Sequence, residues 1–138
     1  EEQLRAGAKL MLLCSPHNPV SRVWSREELW ALFALLHKYH TPLVCDEIHG
    51  DFCFAPHVFT PALLLTQGYP GAKVVSLAAA SKTFNLAGLH QAALFTRHQG
   101  IREAVEKTVQ CCGIRSGNLF ALEATRVAYN TGTPGWTA

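Results

Sequence analysis

Two patterns of apolar residues divide the chain. Four short runs are continuously apolar: residues 9–14 (KLMLLC), 42–46 (PLVCD), 73–77 (KVVSL) and 91–96 (QAALFT). Runs of this length that stop at turn signals, as the first does at Ser-Pro-His-Asn-Pro, predict strands, the first two of them buried. Elsewhere the apolar positions recur with the helical period. Leu29, Leu32, Phe33 and Leu36 are spaced this way and predict a helix from Ser25 to about His40. Ser25 and Glu28 form a capping box at its start, and Trp24 and Leu29 occupy the staple positions on either side. A stretch rich in Pro and Gly follows the second run, with a short helix expected near Ala62 to Thr66. Ile101, Ala104, Val105, Thr108, Val109 and Cys112 predict a further helix. A last helix is expected from about Asn118 to Asn130, before Gly132 and Pro134.

A strand-helix-strand order with continuously apolar strands predicts an α/β fold, a mostly parallel sheet with helices on both faces. The link from the third run to the fourth is too short for a helical crossover. The fourth strand is therefore expected to be antiparallel.

Composition narrows the function. Of 138 residues, 49% are hydrophobic and 16% charged, enough for one globular domain with a core. The net charge is +2, and the twelve Lys and Arg are scattered without a basic run, which argues against nucleic acid as a partner. No segment is long enough to span a membrane. The five cysteines, Cys14, Cys45, Cys53, Cys111 and Cys112, are odd in number and form no C-x-x-C pair, so a reducing cytoplasm is the expected location. Cys14 and Cys45 lie in apolar runs and read as core. His37 and His40 share one predicted helix, but no third ligand is spaced to join them, and no metal site is expected.

Ligands of such sheets bind at the carboxyl ends of the strands. Three polar residues fall there in succession. Asn18 follows the first strand, Asp46 closes the second and Lys82 follows the third. Lys82 stands in LAAASKTFNLAG (77–88), among small and apolar neighbours. It reads either as a lysine drawn inward with a lowered pKa or as a snorkelling surface lysine. An amide, a carboxylate and an amine on one sheet edge match the needs of Schiff-base cofactor chemistry. Ser81 or Thr83 could bond a phosphate oxygen, and Ala78, Ala79 and Ala80 leave room for a bulky cofactor. Glu47 and Asp51 read as solvated or capping residues. Arg22 and Arg115 could each meet a cofactor, a substrate or a neighbouring subunit.

SPHNP (15–19), DEIHGDF (46–52) and SKTFNLAGL (81–89) together resemble the pyridoxal-phosphate enzymes of the aspartate-aminotransferase fold. Within that group, PHNPxxRVW followed by DEIH is most similar to the cystathionine β-lyase, or cysteine-S-conjugate β-lyase, family. The resemblance covers the whole chain, including the tail from Asn118 to Trp136.

The resemblance implies that residues 1–138 are part of the large cofactor-binding domain of a fold-type-I pyridoxal-phosphate enzyme. The flanking parts of that enzyme, before and after this segment, are missing here. It implies Lys82 as the catalytic Schiff-base lysine and the base that moves the Cα proton. Asp46 is implied as the partner of the pyridine nitrogen, and Asn18 as the donor to the ring hydroxyl. His49 stands where aminotransferases usually carry tyrosine and the lyases carry histidine. It also implies pyridoxal 5'-phosphate as cofactor, an amino-acid substrate and a homodimer. Ala79 and His90 stand where many relatives place a phosphate-binding serine and arginine, which leaves Ser81 as the phosphate contact within the chain. A class I/II aminotransferase, a non-catalytic aminotransferase-like module and an inactive fragment are the alternative readings.

Overall fold

The computed structural model describes residues 1–114 and 117–131; Arg115, Gly132, Pro134 and Trp136 lie outside the described residues. Four strands form one sheet in the order β1 (Met11–Cys14), β2 (Leu43–Asp46), β3 (Val74–Ala78) and β4 (Ala93–Phe95). The first three are parallel and β4 is antiparallel to β3, as the short β3–β4 link requires. The helices are α1 (Glu2–Arg5), α2 (Arg26–Lys38), α3 (Ala62–Leu65), α4 (Ala80–Thr83), α5 (Gln99–Cys111) and α6 (Leu119–Thr131). The two single-turn helices α1 and α4 have no counterpart in the sequence pattern, since one turn is too short to show a period.

The start of α2 follows its sequence. Ser25 accepts a hydrogen bond from the Glu28 N–H and Glu28 returns one from the Ser25 N–H, so the capping box is complete. Leu29, Phe33 and Leu36 on its buried face are each no more than 5% exposed. They pack on Leu13, Leu43, Cys45 and Val74 of the sheet together with Ala62 and Leu65 of α3. The register places Met11, Leu43 and Val74 side by side, and likewise Leu13, Cys45 and Ser76. This face, covered by α2 and α3, is the core.

The opposite face carries Leu12, Val44, Val75 and Leu77. Val75 is buried, but Leu12 on the outer strand is 70% exposed. Cys14 shares this face and is only half-buried, so the core role expected of both cysteines holds for Cys45 alone. Helix α5 has the expected apolar stripe, yet none of its residues is buried. Among the described residues no helix is long and apolar enough to cross a membrane.

Candidate active site

The carboxyl ends of β1, β2 and β3 lie side by side. Cys14, Asp46 and Leu77 are neighbours across the three strands, and beyond this line the chain leaves the sheet three times. The Ser15 N–H donates to the Asp46 carbonyl at 2.9 Å, and the Glu47 N–H donates to the Leu77 carbonyl at 2.9 Å. Asn18, Asp46 and Lys82 therefore sit on successive strand-end connections of one sheet edge.

Asn18 stands on a loop closed by an antiparallel bridge between His17 and Arg22. Ser21 takes a left-handed φ of 54° within that loop. Its base is braced from outside. The Trp24 indole N–H donates to the Cys14 carbonyl at 3.0 Å, and the His17 ring stacks on Trp24 at 6.4 Å. The Arg22 guanidinium lies 4.0 Å from the centre of the Trp24 ring and is ion-paired with Glu28. Of the three roles open to Arg22, the structure favours none: its contacts are with Trp24 and Glu28, and they hold the Asn18 loop.

Asp46 is half-buried at the end of β2, and its Oδ1 accepts the Ile48 N–H at 3.2 Å. His49 follows on the same loop, with its ring 6.2 Å from Phe52. Gly50 is required where the loop turns back. A Cβ there would lie 2.9 Å from the Phe59 ring and 3.1 Å from the Glu47 carbonyl. Asn18 and His49 line one cavity of about 280 Å³ together with His17, Phe52, Phe54 and His57. Asp46 lines a neighbouring apolar groove with Cys14, Trp24 and Leu77, and His17 belongs to both. Asn18 and His49 thus share a cavity, and Asp46 lines a different groove that His17 also lines.

Lys82 lies on α4, just past β3, and its side chain is exposed. The small residues around it serve the packing of its neighbours, Ala80 at 4% exposure and Thr83 at 7%. Ser81 is half-buried. The Thr83 hydroxyl donates to Asp51 Oδ2 at 2.6 Å across 32 residues, so of the two hydroxyls considered for phosphate, Ser81 is the one left for that role. Asn85 ends the lysine turn with a left-handed φ of 54°, a conformation asparagine tolerates.

Of the two readings of Glu47, capping is the one the structure bears out, since the residue is only 7% exposed. Its Oε1 accepts the Ala62 N–H at 2.6 Å, capping α3 from across the fold, and its Oε2 accepts from the Ser76 hydroxyl. The Cys45 thiol also bonds to it. Burial raises the Glu47 pKa above the ordinary 4.5, against the lowering effect of Ser76, Ala62 and Cys45. Burial likewise pushes the Cys45 thiol far up, with Glu47 adding to it. The signal was the alternation Leu43, Cys45, Glu47, which continues the buried face of β2 by one step past the strand.

A pH dependence follows. A carboxyl whose folded pKa is raised contributes stability that is complete below its unfolded value and is lost as pH rises through the folded one. In urea titrations the share of stability owed to Glu47 should fall as pH rises above about 4.5. Glu47→Gln should flatten that slope. Glu47→Ala should destabilise at every pH, since each buried donor left unpaired costs about 1–3 kcal/mol. An unchanged slope in Glu47→Gln would remove Glu47 as its source.

With this edge described, comparison with known proteins is informative. Residues 1–125 match the family model for aminotransferase class I and II, and the chain belongs to that family. It is 38% identical over 125 residues to the cystathionine beta-lyase PatB of Bacillus subtilis, covering 91% of this chain and 32% of that protein. It is 31% identical over 127 residues to the protein MalY of Escherichia coli, again covering 91% of this chain and 32% of the relative. Among solved structures, the PLP-bound C-S lyase from Staphylococcus hominis superposes with a TM-score of 0.85 at 27% identity, over 95% of this chain and 32% of that one. The chain thus spans about a third of the length of the curated relatives it matches.

Proposed function

We propose that the chain is the lysine-bearing part of the large domain of a pyridoxal-phosphate-dependent carbon–sulfur β-lyase. The full-length enzyme, cytoplasmic as the cysteine usage suggests and a homodimer as the resemblance implies, would cleave L-cystathionine or other cysteine S-conjugates. The products would be a thiol, pyruvate and ammonia. The observation that carries this reading is the placement of Asn18, Asp46 and Lys82 on successive ends of three parallel strands. The 38% identity to a cystathionine beta-lyase favours the lyase within the family.

The donor set fits pyridoxal phosphate. Lys82 is exposed on the turn after β3. The Asp46 carboxylate is held by the Ile48 N–H through one oxygen, which leaves the other to face a ring nitrogen. Ala78 and Ala79 beside the lysine turn add little bulk.

When bound, the cofactor supplies an electron sink for negative charge developing at the substrate Cα. Lys82 would hold the cofactor through its amine and, once free of it, would take the proton from the substrate Cα. Asp46 would hold a proton on the ring nitrogen. Asn18, in the cavity it shares with His49, would donate to the ring hydroxyl. Ser81 would donate to a phosphate oxygen. The C–S bond breaks with its electron pair leaving on sulfur as thiolate, and water converts the three-carbon remainder to pyruvate and ammonia.

The experiment that tests the reaction type is a keto-acid-free assay. Given cystathionine alone, the full-length enzyme should release pyruvate and a free thiol in equal amounts. Turnover that requires an added keto acid and yields no thiol would make it an aminotransferase.

A further inference from the structure

The lysine turn is not stable by itself. Helix α4 is four residues long, and its N-cap Ala79 offers no side-chain hydrogen bond. A single turn of helix costs more to nucleate than its one or two hydrogen bonds return, so its position has to be set by tertiary contacts. Three are present at and just after Lys82. Thr83 is 7% exposed and donates to Asp51 Oδ2 at 2.6 Å. The Tyr129 hydroxyl, from α6, lies within hydrogen-bonding reach of both Asp51 and Thr83. The Phe84 ring meets the Tyr129 ring edge to face, with centroids 5.0 Å apart at 83°.

These contacts join three parts of the chain that are distant in sequence. Asp51 lies on the loop that carries Asp46 and His49, Thr83 and Phe84 flank the lysine, and Tyr129 belongs to a helix more than forty residues on. We propose that Asp51, Thr83 and Tyr129 form a clamp that fixes the turn bearing Lys82 relative to the loop bearing Asp46, and that all three are positioning residues for the Lys82 amine. An exposed lysine on a four-residue helix has long side-chain freedom of its own. The clamp removes the backbone share of that freedom, which matters because proton abstraction needs the reacting atoms held within a few tenths of an ångström. The raised pKa of Tyr129, owed to burial and then to Asp51, keeps its hydroxyl a donor to the carboxylate.

The inference rests on Lys82 being the cofactor-binding lysine, and its test does not. Amide hydrogen exchange is followed in the cofactor-free full-length enzyme. The Phe84 and Leu86 N–H groups donate to the Ala80 and Ser81 carbonyls at 3.0 and 2.9 Å and report on this turn. Thr83→Val removes the hydroxyl at nearly constant shape. It should speed exchange at these two amides by about tenfold, the loss expected of one hydrogen bond to a charged group, and leave α2 unchanged. Thr83→Ser should restore protection. Tyr129→Phe, at a residue 52% exposed and tolerant of change, should speed the same amides. In the loaded enzyme, Thr83→Val and Tyr129→Phe should lower kcat severalfold with KM within about twofold. If Thr83→Val unfolds the protein, Tyr129→Phe decides alone. Wild-type protection at Phe84 and Leu86 in these variants, or equal losses in Thr83→Ser and Thr83→Val, would overturn the clamp. A cofactor found on another lysine would end the assignment of Lys82 while leaving the exchange result standing.

Discussion

Lys82→Ala should lower kcat of the full-length enzyme by about 10³-fold or more while leaving the thermal midpoint of the cofactor-free enzyme almost unchanged. The two halves of this expectation come from different links. Lys82 carries two jobs in the proposed reaction, joining the cofactor and moving the Cα proton, and a positioned general base alone contributes roughly 10²–10⁴-fold. Its side chain is exposed and makes no described contact that the fold depends on, and exposed substitutions of this kind stay within about 0.5 kcal/mol. Ala is also a better helix former than Lys, so α4 loses nothing. Steady-state kinetics paired with a thermal melt measures both. A variant that keeps more than a tenth of the activity would take Lys82 out of the chemistry. One that loses activity together with a large fall in melting temperature would make its role structural.

Asp46→Asn should cost about 10²–10³-fold in kcat, again with little change in stability. The carboxylate is proposed to act by charge, holding a proton on the pyridine nitrogen so that the ring can accept electrons. Removing one such preorganised electrostatic group typically costs about 2.7–4 kcal/mol of transition-state stabilisation. Asparagine keeps the side-chain oxygen that accepts the Ile48 N–H, so the turn after β2 is preserved and only the charge is lost. Asp46→Ala removes both. The difference between the two variants in stability, about 1 kcal/mol, isolates the turn-holding share. Near-normal turnover in Asp46→Asn would show that the carboxylate is a strand-end residue satisfied by its own turn and nothing more.

The elements of the fold that are read from sequence are those whose cause is local. The capping box at Ser25 and Glu28, the buried stripe of α2 and the four apolar runs all match the structure to within two residues at each end. The antiparallel β4 followed from connector length alone. The positions of Asn18, Asp46 and Lys82 at strand ends follow from the same pattern, because each polar residue stands where an apolar run stops. What was illegible depends on partners far along the chain. Glu47 is buried because Ser76 and Ala62, 29 and 15 residues away, bring it hydrogen-bond donors. Next to the polar pair Asp46 and His49, its place in the sequence does not choose between a solvated and a capping acid. Thr83 looked free for phosphate because nothing near it in sequence announces Asp51. The small residues before Lys82 leave its inward and outward readings open in the sequence, and only the folded one-turn helix shows Ala80 and Thr83 buried with Lys82 exposed.

The central claim is that Lys82 is the amine that holds the cofactor. Borohydride reduction of the full-length holoenzyme followed by peptide mapping tests it in one measurement. The reduced pyridoxyl group should be found on the peptide containing Lys82, at one group per chain, and should be absent from Lys82→Ala. Its recovery on Lys38, Lys73 or Lys107 instead, with Lys82 unmodified, would contradict the account.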